Sequence, residues 1–476
     1  MIYKQLSGPF RVTSHTDFVG AGSTFFAIKG AQHNGADHII RAVNKGAQFV
    51  VVDEACLPLS SKTIEVCRED NVSLEYVKDA RTALAIRAAQ AYNYPANQLR
   101  IIGITGTKGK TTTAFALAHL LRCAGNRVAL LSTVGNQINS DFFTASLTTE
   151  QPDYLHHFFY LCLQAKIEYV VMEIAAQAVS LSRVDGIFLD ALIFTNFSKE
   201  HGEFYATQED YFSAKAALVG RRKPYAPLII NGDDEWCQKL EHQPDVYAMS
   251  LEKRSDYTVV IDGLSVDSSS FSITTPGGAM ISFKTRQPGQ FNVYNFVMAA
   301  AVADRLGIAH SDISSGIGSF GGAPGRLELH RLANGARVYI DYAHNPSSFE
   351  AILKTFRPFT QELIVLFGAG GDRDPSKRPI MGSIAASYAD KLFLTSDNPR
   401  SEDPAVIIAQ IISGISSAQQ AGVYCMLDRA QAIRAACAQA GSGAIILLLG
   451  KGPDLYQLAQ GRKDYFNEAE VINVFF

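Results

Sequence analysis

The stretch GITGTKGKTTTA, Gly103 to Ala114, decides the fold. It resembles a phosphate-gripping loop with altered spacing. A Walker A loop reads G-x-x-x-x-G-K-[ST]. Here Ile104 stands five residues before Gly109, and the nearest glycines are Gly103 and Gly106. What remains is the shorter Gly106-x-x-Gly109-Lys110-Thr111. Its flanks carry the argument. RIIGI reads as a strand, and Ala114, Leu117, Ala118 and Leu121 recur at helical spacing before Gly125, a natural helix stop. Strand, glycine turn, lysine and helix together predict converging backbone N–H groups and a helix N-terminus for an anion. Gly106, Thr107, Lys108, Gly109, Lys110, Thr111 and Thr112 are the candidate phosphate residues. Lys110 is placed to reach phosphates and Thr111 to offer a hydroxyl to Mg²⁺.

Outward from the loop, the 476-residue chain is too long for one core, so two or three domains are expected. A net charge of −3 without a long basic run argues against nucleic acid as a partner. The opening MIYKQLSGPF lacks a charged-then-apolar leader, and apolar runs such as AIILLLG are far shorter than the ~20 residues of a membrane span. The seven cysteines show no C-x-x-C and read as reduced, mostly buried thiols. A cytoplasmic protein with no membrane association is expected, and a monomer.

Short apolar runs alternate with helical patterns almost throughout, which predicts an α/β fold with parallel sheets. STFFAI, AQFVVVDE and SLEYVKD are strands of a first block, followed by a helix from about Ala80 to Tyr92. RVALLST, EYVVMEIA, DALIFTNFS and APLIINGDD continue the block that starts at the phosphate loop. From Ser250 to Phe283 short alternating runs predict a small antiparallel insertion. The patch SFGGAPGR is the candidate linker to a third block with strands in RVYIDYAH, ELIVLFGAGG, DKLFLTSDNP, VYCMLD and GAIILLLGKG. The expected domains are 1–96, 97–322 and 323–476.

Polar residues gather at strand ends, where α/β proteins place ligands. Glu173 closes YVVME and suits either a metal-binding carboxylate or a solvated strand-end acid. His201 follows TNFSKE and reads as structural or as a ligand. Lys215, taken alone, reads as a surface lysine. GAGGDRD, DYAHNP and DNPR put acids and arginines at three strand ends of the last block, a site that would face the phosphate-loop domain across a cleft.

In this order and spacing, G-T-x-G-K-T (106–111), LTT (147–149), ME (172–173), TN-x-S-x-x-H (195–201), AK (Lys215), FNVYN (291–295), PGR (324–326), DYAH (341–344), GGDRD-x-x-KRP (370–379), DNPR (397–400) and GKG (450–452) resemble the Mur ligases, and among them the MurE type. The resemblance covers nearly the whole chain. It implies a uridine-nucleotide domain, a central ATPase domain and a Rossmann-like amino-acid domain. The implied activity is an ATP- and Mg²⁺-dependent amide ligation in peptidoglycan synthesis, with UDP-N-acetylmuramoyl-L-Ala-D-Glu and a diamino acid as small-molecule substrates. It further implies that Thr111, Glu173, His201 and a carbamylated Lys215 hold metal. Asn295, Arg326 and Asp341 would join the loop in binding ATP, with Lys110, Lys215, His201 and Arg326 catalytic. Ser14, Thr16, Ala31, Gln32, His33, Thr148, Thr149 and Arg183 would bind the muramoyl-peptide. Arg373, Asp397, Asn398, Pro399, Arg400, Gly450 and Asp454 would bind the amino acid. Within the resemblance, D-N-P-R marks meso-diaminopimelate enzymes, whose substrate has a distal carboxylate suited to a planar guanidinium.

The departures cluster on the acceptor side. Ile174-Ala175-Ala176-Gln177 replaces V-S-S-H, Leu181 replaces a glutamine, and Glu150 replaces a proline. His15-Thr16-Asp17 stands for D-S-R, which exchanges a cation for an anion near the uridine contacts. GKGPD replaces GKGHE, so Asp454 keeps a shorter carboxylate. Lys108 stands where asparagine is usual and is expected to be a solvated loop residue. Lysine or another amino acid, a different carboxylate acceptor, a folylpolyglutamate-synthase-like ligase and a nucleotide-binding pseudo-ligase stay open as alternatives.

Overall fold

The computed structural model describes residues 3–6, 8–30, 33–200, 202 and 204–475. Four sheets organise the α/β chain, and the largest has twelve strands. Its centre is parallel. Arg100–Thr105 lies between Tyr169–Glu173 and Ala191–Phe194, and the order continues through Val128–Ser132 on one side and Leu228–Asn231 and Val246–Ser250 on the other. Helices cover these strands, which explains their continuous apolar runs: Ile101 to Thr105 and Tyr169 to Glu173 are all buried. All four strands expected here after the loop form. Sequence reading missed the antiparallel ribbon Gly135–Ile138 and Asp141–Phe143, as well as Tyr3–Lys4, which adds parallel to that ribbon's edge.

The first block forms a parallel sheet of Val12–Thr13, Thr24–Ala27, Phe49–Asp53 and Ser73–Val77. The helix expected from about Ala80 to Tyr92 spans Ala80–Ala91 and is capped by Asp79. The alternating segment after Ser250 forms Tyr257–Leu264, Ser269–Thr274 and Met280–Thr285. These extend the large sheet and do not stand apart as an insertion, because Tyr257 and Thr258 pair in parallel with Met249 and Ser250.

By contacts the chain divides into two compact units. One comprises 1–260, 272–282 and 294–317; the other comprises 261–271, 283–293 and 318–476. In the second unit Arg337–Asp341, Ile445–Leu449, Leu363–Phe367, Lys391–Leu394 and Val423–Cys425 run parallel, each strand as expected. Glu328–Arg331 adds an antiparallel edge, and a hairpin of Tyr456–Ala459 and Arg462–Tyr465 was not foreseen. All seven cysteines are free thiols, with Cys123 and Cys425 exposed and the others buried. Among the described residues no helix is long and apolar enough to cross a membrane.

Candidate active site

The phosphate loop leaves the central strand at Thr105 and is pinned by the neighbouring strand end. Thr107 N donates to Asn196 O at 2.9 Å, and Lys108 N to Asn196 Oδ1 at 3.0 Å. Thr195 Oγ1 donates to Lys108 O at 2.6 Å. Gly106 has φ +131°, and a Cβ there would lie 2.0 Å from Thr195 Oγ1. At Gly109, φ +81°, a Cβ would lie 2.3 Å from Asn295 Oδ1. Both glycines are therefore required by backbone conformation and by close approach. Helix Lys110–Cys123 starts directly after them, as expected, with Thr111 and Thr112 buried in its first turn.

Two lysines converge on one carbonyl of this loop. Lys110 Nζ donates to Gly106 O at 2.9 Å and to Thr107 O at 3.0 Å. Lys215 Nζ donates to the same Gly106 O at 2.8 Å. Lys215 comes from helix Gln208–Ala216, whose start is fixed by a Thr207–Asp210 capping box. Only 1% of Lys215 is exposed, which overturns its reading as a surface lysine. Its buried aliphatic stem ends over the Tyr211 ring, 4.6 Å from the centroid. Burial, and after it the Lys110 cation, hold its pKa well below that of an ordinary lysine. Lys108 is half-buried: burial lowers its pKa, opposed by the Glu200 carboxylate.

Glu173 is the second centre, 1% exposed at its strand end, which rules out a solvated acid. Thr111 Oγ1 donates to Glu173 Oε2 at 3.1 Å, while Thr133 N and Oγ1 donate to Oε1 and Oε2 at 3.1 and 3.2 Å. A hydroxyl and a carboxylate in contact beside the phosphate loop are hard oxygen donors, a set that fits Mg²⁺. His201 lies outside the described residues, as do Ala31 and Gln32. Asn295 joins the loop through Thr113 Oγ1, which donates to its Oδ1 at 3.3 Å.

Three of the candidate acceptor residues, Thr148, Thr149 and Arg183, lie around Glu173. Thr148 Oγ1 accepts from Thr133 Oγ1 at 3.1 Å. Thr149 Oγ1 donates to Glu173 O at 3.0 Å and accepts from Ala175 N at 2.9 Å, while Arg183 donates to Thr149 O at 3.0 Å. The unusual Glu150 is buried and organises this loop, accepting from Ser146 N at 2.6 Å and Leu147 N at 3.2 Å. Burial raises its pKa. Ser14 is held by Asp153 Oδ2, 2.7 Å from Ser14 N, and Lys45 donates to Thr16 O at 2.8 Å. His33 is exposed. The sign change at Asp17 is offset within the fold: Arg41 pairs with it at 2.7 Å and Lys45 at 3.5 Å.

In the second unit, Asp397, Asn398 and Pro399 are buried beneath the Tyr456–Ala459 hairpin strand. Asn398 Oδ1 accepts from Leu458 N at 2.9 Å and Lys451 Nζ at 3.2 Å, and its Nδ2 donates to Asp454 Oδ2 at 3.3 Å. Burial raises the Asp454 pKa, with the Lys451 cation opposing. Arg400 Nη1 donates to Gly371 O at 2.6 Å, whereas Arg373 is exposed. Gly450, φ +108°, passes where a Cβ would lie 2.5 Å from Asp397 Oδ2. Arg326 stacks over the Tyr342 ring at 4.6 Å, and Asp341 accepts from Leu327 N at 2.9 Å and Ala343 N at 2.7 Å. Sequence reading missed Thr133, Asp153 and Glu402. Thr133 ends a predicted strand and was findable by the strand-end rule; Asp153 and Glu402 carry no such mark.

Residues 104–303 match the Mur ligase middle domain, and 325–452 match the Mur ligase glutamate ligase domain. The chain is 35% identical over 452 residues to the UDP-N-acetylmuramoyl-L-alanyl-D-glutamate--2,6-diaminopimelate ligase of Geobacillus thermodenitrificans, covering 92% of this chain and 89% of that one. The ligase of the same name from Synechococcus elongatus is 37% identical, covering 94% and 90%. A solved diaminopimelate ligase of this name superposes with TM-score 0.66 at 26% identity, over 98% of this chain and 94% of that one. The MurF ligase of Thermotoga maritima, solved with ADP, shares the fold at TM-score 0.62 and 17% identity, over 92% and 93%. Matched in order by both domain families and by relatives along nearly its whole length, the chain belongs to the Mur ligase family.

Proposed function

We propose that the chain is an ATP-dependent ligase that joins meso-diaminopimelate to the D-Glu side-chain carboxylate of UDP-N-acetylmuramoyl-L-Ala-D-Glu. The observation that carries the chemistry is the buried Lys215 bonded to the Gly106 carbonyl of the phosphate loop, beside Lys110. On this reading 1–96 takes the uridine nucleotide, 97–322 carries ATP and the acceptor carboxylate, and 323–476 takes the amino acid.

A carboxylate resists amine attack at neutral pH, so an activating step must supply a leaving group. The acceptor oxygen attacks the γ-phosphorus of ATP, the bond to ADP breaks, and an acyl phosphate forms. The amine nitrogen then attacks the acyl carbon, phosphate departs and the amine gives up its proton. Lys110 and the loop N–H groups stabilise charge on the transferring phosphoryl group. Thr148, Thr149 and Arg183 orient the acceptor beside Glu173. Burial and the Lys110 cation lower the pKa of Lys215 and so favour its neutral amine, the form that adds CO₂ to give a carbamate and a proton. Thr111, Glu173, His201 and that carbamate would hold Mg²⁺, which neutralises phosphate charge when bound. Arg400 suits the distal carboxylate of diaminopimelate and repels the terminal ammonium of lysine.

Phosphate release with purified UDP-N-acetylmuramoyl-L-Ala-D-Glu tests the reading, with meso-diaminopimelate set against L-lysine. Turnover is expected with the former only; comparable or faster turnover with lysine overturns the amino-acid assignment. A different carboxylate acceptor is the second reading, favoured by Ala175, Ala176 and Gln177 beside Thr149. No turnover with either amine would favour it or a nucleotide-binding pseudo-ligase.

A further inference from the structure

Two residues that would bind nothing themselves hold the amino-acid loops together. Arg378 is 1% exposed on helix Lys377–Tyr388. Its Nη1 and Nη2 pair with Glu402 Oε2 and Oε1 at 2.7 and 2.9 Å. Arg378 Nη1 also donates to Gln410 Oε1 at 2.6 Å on helix Pro404–Ile412, and two further bonds of the pair reach one short segment. Arg378 Nη2 donates to Gly370 O at 3.1 Å, and Glu402 Oε1 accepts from Asp372 N at 2.6 Å. Between those two anchors, Gly371 O receives the Arg400 guanidinium at 2.6 Å.

The segment has no freedom to move elsewhere. Gly371 N donates to Asn398 O at 3.0 Å, and a Cβ on Gly371 would lie 1.9 Å from Pro399 O. Asp372 and Arg400 both adopt left-handed backbone, φ +53° and +54°. Non-glycine residues keep that conformation only where their surroundings over-determine it. Here the surroundings are the Glu402 carboxylate on Asp372 N and the Asp372 carboxylate on Ser401, 3.3 Å from Ser401 N.

We propose that the Glu402–Arg378 pair is the positioning device that fixes the Arg400 guanidinium, and through it the preference of this site for an amino acid with a distal carboxylate. Glu402 and Arg378 act through Gly370, Gly371 and Asp372 and touch no substrate. The inference rests on the proposed diaminopimelate reading.

The test is steady-state kinetics of Glu402→Gln, varying ATP, acceptor, meso-diaminopimelate and lysine in turn. The expected result is a rise of about tenfold or more in KM for diaminopimelate, the scale of a small misplacement of a binding group. KM for ATP should stay unchanged, and the ratio of diaminopimelate to lysine turnover should fall. An unchanged diaminopimelate KM and ratio, or equal losses for every substrate, overturns the proposal. If Glu402→Gln does not fold by circular dichroism, Glu402→Asp decides instead, since it keeps a charge for Arg378 but withdraws the carboxylate from Asp372 N by one methylene. The same shift in diaminopimelate KM and ratio is expected, and its absence overturns the proposal. A wild-type chain that uses lysine as readily as diaminopimelate overturns the underlying reading, whatever the variants do.

Discussion

Lys215 shows how far one residue's role depends on its surroundings. Two residues of sequence, Ala214-Lys215, say nothing of burial; the fold encloses the side chain and gives its amine one carbonyl partner. Deprotonation is the cheaper response to burial for such a group, and a neutral amine can become a carbamate. Lys215→Ala is expected to lose at least about 100-fold in turnover, and added short carboxylic acids should restore part of it by occupying the vacated space. Phosphate release with and without formate or acetate measures this, and absence of rescue would count against the carbamate. Lys108 teaches the opposite lesson. Its place in a surface-like loop suggests solvation, but Thr195 and Asn196 grip its backbone, and the half-buried side chain has a lowered pKa.

At the scale of elements, the loop that opened the sequence reading is legible because its glycines answer to a local steric demand. In Gly106→Ala, the added methyl would meet Thr195 Oγ1 at 2.0 Å on a backbone of φ +131°. Nucleotide affinity, read by titration calorimetry, is expected to fall by about tenfold or more. Helix Pro152–Gln164 makes a different prediction. Its His156 is buried with both ring nitrogens lacking a hydrogen-bond partner among the described residues, and His157 is buried with Nδ1 on Tyr92 Oη at 3.0 Å. Burial drives both imidazoles from an ordinary pKa of 6.5 to about 4. Between those values the unfolded chain binds protons that the folded chain refuses. Stability is therefore full above about pH 6.5 and falls as pH drops toward about 4, on the order of 3 kcal/mol per histidine. Urea unfolding across that range should show the slope, and His156→Leu should make it shallower while costing little at neutral pH, since it removes two unsatisfied polar atoms. Strands covered on both faces were readable from their apolar runs, whereas the Gly135–Phe143 ribbon and the Tyr456–Tyr465 hairpin were not. Both are half-exposed and lack long apolar runs or strong alternation.

Over the whole molecule, sequence order makes the two halves of the proposed reaction separable. The groups that would bear on phosphoryl transfer, Lys110, Thr111, Glu173 and Lys215, sit in the first compact unit, and the groups that would select the amine, Asp397, Asn398 and Arg400, sit in the second. The motifs pointed to both sets as expectations: Glu173, Asp397 and Asn398 stand at or just after strand ends, Lys110 and Thr111 follow the glycine turn, and helical Lys215 was carried by the resemblance alone. The long-range pairings were silent in sequence even where a strand end marked one partner: Thr133 lies 40 residues from Glu173, and Arg378 lies 24 from Glu402, so pairing them required the fold. The separation can be tested directly. With ATP, acceptor and no amino acid, an acyl phosphate once formed is open to hydroxylamine, which captures it as a hydroxamate. Arg400→Ala removes the guanidinium for the distal carboxylate but leaves every group around Glu173 in place. It should keep hydroxamate formation within about twofold of the wild type while ligation of diaminopimelate falls by about 100-fold, the usual weight of a lost arginine–carboxylate pair. Lys215→Ala should lose both activities together. Colorimetric hydroxamate yield beside amide product by mass spectrometry reads the two steps. Parallel loss of both in Arg400→Ala would mean that Arg400 also serves activation, and that the division of labour along the chain is wrong.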